Sequence, residues 1–369
     1  MANFGLLIFV FFLSWALSLL LTPLIRKRAL KKNIVSKPGR RRIHVKPVPF
    51  LGGLAMYFSF IVGILIVFYA HTQFRMEFAQ RLQGLVIAGT LIVILGLWDD
   101  IKNIRPFTKL IGQLIVALVL FAYGFRIEVL TNPFSGTEMP IPLFLSALFT
   151  VGWVVGLINA MNLIDGIDGL AAGITVIVCG ALLFIALYLG NYINVFLLAI
   201  LAGSCLGFLR YNLPPAKIFM GDSGSMFLGL VLAAVGLIRF QYKSAVAVVL
   251  LTPIVALVVP IYDTFMAIVR RALKRESIFK ADRKHLHHRL LDMGLTQKHI
   301  IASVYVVTLY LGIFAFLFVL IPKEYALILL VLLALGLFMG IKIVGFLERR
   351  VRHLQRLEAQ KQKSEISHW

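Results

Sequence analysis

Asn159-Ala160-Met161-Asn162-Leu163-Ile164-Asp165-Gly166-Ile167-Asp168-Gly169-Leu170 packs two Asn, two Asp and two Gly between long apolar runs at 141–158 and 170–188. Each run is close to the roughly twenty apolar residues that span a bilayer. Hydrogen-bonding side chains are expensive beside hydrocarbon, so four of them at such a boundary imply a use. Amides and carboxylates three residues apart share a helix face or a tight loop, where they converge on one polar ligand. The plainer alternative is a loop whose Asn, Asp and Gly only make turns.

The rest of the chain supports the membrane reading. It has 369 residues, 60% hydrophobic and 14% charged, with a mean hydropathy of +0.93. Soluble domains are about 45–50% apolar. The expected fold is all-α, a polytopic integral membrane protein of about eleven spans: 4–25, 48–70, 82–98, 107–126, 141–158, 170–188, 192–209, 223–239, 244–269, 300–321 and 325–345. The N-terminus lacks the basic segment of a signal peptide, so the first span is expected to be retained. Two units follow: residues 1–345 as a transmembrane catalytic domain with cytoplasmic loops, and 346–369 as a basic amphipathic tail on the inner leaflet. Cys179 and Cys205, the two cysteines, lie in apolar runs and imply neither a disulfide framework nor a zinc site.

The net charge of +21 is explained by topology rather than by nucleic acid. With eleven spans, about thirty of the 37 Lys and Arg fall in one set of alternate loops and about six in the other, which makes the first set cytoplasmic. The N-terminus is then outside and the C-terminus inside. Seven of the eight Asp lie in or at the edge of the same loops, and Asp263 lies within the ninth span. Topology constrains acidic residues only weakly, so the clustering points to a polar site at the cytoplasmic membrane surface.

Several loops contribute to it. The first carries about ten basic residues, including Lys46, and ends at Gly52-Gly53, which permits close backbone approach. Asp99-Asp100 closes the third span; adjacent carboxylates repel unless a cation or proton holds them, and Lys109 follows at the start of the fourth. After Pro214-Pro215, Gly221 to Ser225 opens the eighth span, where free backbone N–H groups suit an anion and a lone Asp222 suits an N-cap. The largest loop holds Arg283, His285, His287 and His288 among basic neighbours, a composition better matched to an anion or sugar hydroxyls than to a metal. Together these are carboxylates for Mg²⁺ (Asp99, Asp100, Asp222), cations for phosphates (Lys46, Lys109, Arg283), and amides and carboxylates for a polar ring (Asn159, Asn162, Asp165, Asp168). Phosphoryl transfer between a soluble nucleotide derivative and a lipid is the chemistry that uses them all.

The combination of Lys46-Pro47-Val48-Pro49-Phe50-Leu51-Gly52-Gly53, Trp98-Asp99-Asp100, Asn159 to Gly169, Phe219-Met220-Gly221-Asp222-Ser223-Gly224-Ser225 and His285-Leu286-His287-His288 resembles the polyprenyl-phosphate N-acetylhexosamine-1-phosphate transferases of glycosyltransferase family 4. The resemblance runs in order from about Lys37 to Arg289. It implies transfer of a sugar-1-phosphate from a UDP-sugar to undecaprenyl phosphate in the bilayer, with release of UMP. It implies Mg²⁺ as cofactor, with Mn²⁺ as a substitute, and admits a homodimer. By the same resemblance, Asp222 is the principal metal ligand with Asn162 beside it. Asp99 deprotonates or orients the lipid phosphate with Asp100 next to it, and Lys109 contacts pyrophosphate; Asp99, Asp100, Asp222 and Lys109 are the catalytic set. Phe219 stacks on uracil, Asp168 and Gly166 meet its edge, Asn159, Asn212 and Asp165 line the nucleotide pocket, and Lys46, Arg283 and the three His read sugar or pyrophosphate. The His-x-His-His form and eleven spans favour the UDP-N-acetylglucosamine branch, which starts teichoic acid, O-antigen or related glycans, over the muramoyl-pentapeptide branch. Ser36 stands where relatives often carry Asp. Two rival readings are weaker: the CDP-alcohol phosphotransferase pattern lacks its Arg after Ala172 and its downstream Asp pair, and a transporter would place its acids near the midplane.

Overall fold

The computed structural model describes residues 4–36, 47–131, 138–238 and 295–322, with 325, 328–336, 338–339 and 342. The expected span 244–269, the tail 346–369, Lys46, Arg283, His285, His287 and His288 lie outside the described residues.

Nine long helices run through the described residues: α1 (Phe4–Lys31), α2 (Gly52–Ala70), α3 (Thr72–Lys102), α4 (Pro106–Ala122), α5 (Leu143–Ile164), α6 (Leu170–Tyr188), α7 (Tyr192–Asn212), α8 (Gly221–Leu237) and α9 (Gln297–Leu320). Seven are long and apolar enough to cross a membrane; α4 and α8 are shorter apolar helices. Residues 328–336 are helical as well. The protein is an all-α polytopic membrane protein. Two small antiparallel pairs complete it. In the first, β1 (Val35–Ser36) meets β2 (Val48–Pro49), so Ser36 faces Val48; in the second, β3 (Val129–Thr131) meets β4 (Glu138–Pro140).

Three helices outrun the spans expected from hydropathy by six residues or more: α1 runs on to Lys31 past residue 25, with basic residues in its last turn, and α3 and α5 do so for other reasons. α3 starts ten residues before the apolar window because its first turns carry polar side chains that satisfy one another, as in Gln73 Nε2 donating to Glu77 Oε1 at 3.0 Å. α5 continues to Ile164, past residue 158, because Asn159 and Asn162 find partners on neighbouring helices and do not break it. Asp165 is its C-cap.

α8 is the axle. Every residue from Ser223 to Leu237 is buried, and α2, α3 and α5 pack around it. Small residues allow this closeness, as membrane helices require when no hydrophobic drive brings them together. The Cα of Gly53 sits against the Gly224 backbone, that of Gly96 against Ser223, and that of Gly229 against the Leu157–Ile158 backbone. At the same end, Gly52 and Gly53 N–H donate to the Phe219 and Met220 carbonyls at 3.0 and 2.9 Å, and Phe219 N–H donates to Pro49 O at 2.9 Å. The outer helices expose large apolar side chains, among them Phe9, Phe12, Leu118, Val306 and Leu309, as lipid contact demands.

A side chain at Gly53 would meet backbone that cannot yield. Gly53→Val is expected to lower the melting temperature in detergent, an overpacking cost of about 1–3 kcal/mol. Gly152→Ala, with open space around it, should leave the melting temperature unchanged or raise it.

Candidate active site

The chain reverses tightly between α3 and α4. Asn103 adopts the left-handed conformation (φ 48°) at the α3 C-cap, and Pro106 opens α4 at a position where its missing N–H costs nothing. Asp99 Oδ1 accepts from Ile104 N–H at 2.9 Å and braces the turn. Asp99 on α3 and Lys109 on α4 therefore face each other, with Lys109 Nζ 2.9 Å from Asp99 Oδ2. The same ammonium donates to Asn162 Oδ1 on α5 at 3.0 Å and to Asp222 Oδ2 on α8. Asn162 Nδ2 donates to Asp222 Oδ1 and to Ser225 Oγ, both at 2.9 Å. Four helices thus meet at one ammonium.

The neighbouring carboxylate does something else. Asp100 Oδ1 accepts from Asp222 N–H at 2.8 Å, and its Oδ2 accepts from Ser223 N–H at 3.2 Å and Ser223 Oγ at 3.1 Å. It caps α8 from another helix. The N–H groups at the start of α8 that suited an anion are therefore already engaged by a protein carboxylate, and Asp222 does not cap its own helix. The two adjacent Asp avoid repulsion by dividing their partners: Asp99 takes the ammonium and Asp100 the helix terminus, where the dipole favours negative charge.

A second group of contacts fixes the loop after α5. Asn212, 2% exposed, accepts from Gly169 N–H and donates to Ile218 O, both at 2.9 Å. Both ends of its amide are engaged by backbone, so it ties the α5–α6 loop to the α7–α8 linker. Asp168 Oδ2 accepts from Ala216 N–H at 2.9 Å. Arg26 Nε reaches across from α1 to Lys217 O at 3.0 Å, and Tyr305 Oη on α9 donates to Gly169 O at 2.7 Å. Gly169 has a φ of 78°, which favours glycine at this turn. Asp165 makes no hydrogen bond to another described residue. Burial, then the carboxylates of Asp222, Asp100 and Asp168, hold its carboxyl well above the ordinary carboxylate range. Gly166 is exposed and Phe219 half-buried, its backbone pinned to α2.

The structure therefore gathers Asp99, Lys109, Asn162 and Asp222 at one point, with Asp165, Gly166, Asp168, Asn212 and Phe219 on the loops beside it. Asn159 lies one turn deeper in α5, paired with Gln113 of α4. Gln113 and Tyr305 are participants that lie outside the sequence motifs, and Ser223 and Ser225 lie inside one without an assigned role. Gln113 had a signal, an amide inside an apolar run four residues after Lys109; Tyr305 had none. Asp222 and Asn162 present hard oxygen donors of the type Mg²⁺ takes together with water and phosphate oxygens. Among the described residues no group of three or more His, Cys, Asp or Glu is arranged to hold a metal.

Comparison with known proteins identifies the family. The model of glycosyl transferase family 4 matches residues 82–239, the segment that runs from α3 to the end of α8. A probable undecaprenyl-phosphate N-acetylglucosaminyl 1-phosphate transferase of Bacillus subtilis is 35% identical over 302 residues, 82% of each chain. The chain belongs to glycosyl transferase family 4. Within the family it is also 36% identical to a decaprenyl-phosphate N-acetylglucosaminephosphotransferase of Mycolicibacterium smegmatis, over 79% of this chain and 76% of that one. It is 31% identical to a phospho-N-acetylmuramoyl-pentapeptide-transferase of Clostridium botulinum, over 83% of this chain and 93% of that one. The family's N-acetylglucosamine-phosphate transferase branch is the one this chain falls in.

Two measurements probe the electrostatics. Asp100→Ala leaves two N–H donors and a hydroxyl without their acceptor, and is expected to lower stability by roughly 1–3 kcal/mol, read as melting temperature without substrate. Asp165 is raised in the folded state, so the fold binds its proton more tightly than the unfolded chain does. Its contribution is favourable in acid and declines as pH rises from about 4 through the raised value. The difference in melting temperature between Asp165→Asn and the unsubstituted protein should grow in favour of Asn over that range.

Proposed function

We propose that the protein transfers N-acetylglucosamine-1-phosphate from UDP-N-acetylglucosamine to undecaprenyl phosphate, giving undecaprenyl-pyrophosphoryl-N-acetylglucosamine and UMP. The observation that carries the reading is the convergence of Asp99, Asn162 and Asp222 on Lys109 at one end of an apolar helix bundle. A phosphate ligand and a lipid can both reach that point. Trp98, Ile101 and Phe107 are exposed beside it and offer the polyprenyl chain an apolar approach.

In this mechanism the lipid phosphate oxygen attacks the phosphorus attached to the sugar. The P–O bond to the uridine phosphate breaks, and UMP leaves. Asp99 orients the lipid phosphate and takes its proton if it arrives protonated. Lys109 turns its ammonium to the pyrophosphate and balances the charge that builds on the leaving UMP. Phe219 stacks on uracil, Gly166 and Asp168 meet its edge, and Asp165 lines the nucleotide pocket. Asp222 and Asn162 would hold Mg²⁺, which when bound neutralises pyrophosphate charge and polarises the phosphorus.

The site faces the cytoplasm in this reading, with eleven spans, the N-terminus outside and the C-terminal tail on the inner leaflet. The support is charge: Arg26 to Lys32, Lys102, Arg105, Arg210 and Lys217 lie at the site end of the helices, against Arg75, Arg81 and Arg126 at the other. The product is the first lipid-linked intermediate of a cell-envelope glycan.

Purified protein with Mg²⁺, undecaprenyl phosphate and radiolabelled UDP-N-acetylglucosamine should move label into the lipid phase and release UMP. Asp99→Ala and Asp222→Ala should each lower the rate by about 10² or more, the scale seen when one electrostatic contact to a transition state is lost. Transfer from the muramoyl-pentapeptide donor alone would reassign the sugar. Full activity with both Asp replaced would remove the mechanism.

A further inference from the structure

Below the charged cluster lies a second polar layer with no part in the reaction above. Asn159 Nδ2 donates to Gln113 Oε1 at 2.7 Å and to Val155 O at 2.8 Å. Gln113 Nε2 returns a longer bond to Asn159 Oδ1 at 3.4 Å and touches Met226 Sδ at 3.5 Å. Gln113 is 1% exposed. The two layers repeat on the same three helices. Gln113 is one turn from Lys109 on α4, Asn159 one turn from Asn162 on α5, and Met226 one turn from Asp222 on α8. Positions three and four apart lie on one helix face, so whatever fixes the lower layer fixes the upper.

An amide pair is directional. Gln113 is buried and Asn159 half-buried, so the Gln113 amide must find its partner or pay a desolvation penalty, and it finds that partner at only one axial position and one rotation of α4 against α5. A pair of leucines would fill similar space yet tolerate sliding, which is the sense in which buried polar pairs specify register in some helical assemblies.

We propose that Gln113 and Asn159 are positioning residues: their amide pair sets the register of α4 against α5 and thereby places the Lys109 ammonium between Asn162 and Asp222. The proposal rests on the transferase reading for its kinetic consequence, but not for its geometry.

Four variants test it in the radiolabel assay: Gln113→Leu, Asn159→Leu, the double Gln113→Leu/Asn159→Leu, and the exchanged pair Gln113→Asn/Asn159→Gln. The single Leu variants strand one buried amide and should melt early. The double variant removes both amides and should regain the melting temperature, while its kcat stays low by about 10-fold to 10²-fold, the penalty of a misplaced catalytic group, at unchanged KM for UDP-N-acetylglucosamine. The exchanged pair keeps two amides of the same summed length and should recover kcat above that of Gln113→Asn alone. A stable double variant with unaltered kcat would overturn the proposal, and so would an exchanged pair no better than its single parent. If the unsubstituted protein proves inactive with every UDP-sugar, the transferase reading falls. The positioning role is then read from a structure of the double variant: displacement of Lys109 Nζ from Asn162 Oδ1 supports it, and retention of the 3.0 Å contact overturns it.

Discussion

One ammonium holds the site together. Lys109 Nζ bonds Asp99, Asn162 and Asp222, and these three residues come from α3, α5 and α8 while the lysine itself is on α4. In bulk water such an arrangement would contribute little, since surface ion pairs are screened. Here Lys109, Asp99 and Asp222 are all partly buried, and the helices that carry them have apolar flanks. Removing the lysine would leave two facing carboxylates and an amide in a poorly solvated pocket. The four helices therefore depend on a contact that is also the chemical centre, and catalytic geometry and helix packing are the same constraint.

That contact works only because α8 is held still. Asp100 caps α8 from outside, Gly52 and Gly53 bind the strand-like residues Phe219 and Met220 just before it, and Gly53 and Gly96 let α2 and α3 approach its backbone. A helix of seventeen residues, shorter than a comfortable span, is tolerable in this position because it touches protein and not lipid along nearly its whole length. Shortness and full burial belong together. The first turn of α8 is set back among longer helices and so presents Asp222 to the loops.

Much of this was legible in the residues. Hydropathy located all nine helices within the described residues to within a few residues at most ends, because long apolar runs have one stable solution in a bilayer. Asp99, Lys109 and Asp222 were legible as parts of one site because charged side chains at span boundaries are rare, whereas Asn162 joined Asp222 only through the family resemblance. What was not legible is the division of roles inside the set. Asp99 and Asp100 are adjacent and identical in sequence, yet one meets the lysine and the other a helix terminus, since successive residues on a helix point about 100° apart and only the packing decides what each meets. Asn212 looked like a pocket residue and is a latch for the same reason. Tyr305 carries no sequence signal because a tyrosine in an apolar helix is ordinary.

The distinction between latched and open polar residues has a consequence for how such a site can change. Asp100, Asn212 and Arg26 bond mainly backbone atoms of other segments. Each positions a loop whatever the ligand, and altering one disturbs every substrate equally. Asp165 has no partner among the described residues, and Gly166 is exposed beside it on the loop that Asn212 and Tyr305 hold fixed. A rigid loop with an accessible glycine beside an unpaired carboxyl can meet a new ligand edge through one side-chain change without loss of fold. Members of the family that are about a third identical to this chain are named for different transferred groups, N-acetylglucosaminyl 1-phosphate in one and phospho-N-acetylmuramoyl-pentapeptide in another. A scaffold in which holding and recognising fall to different residues is what allows that divergence around a common phosphate chemistry.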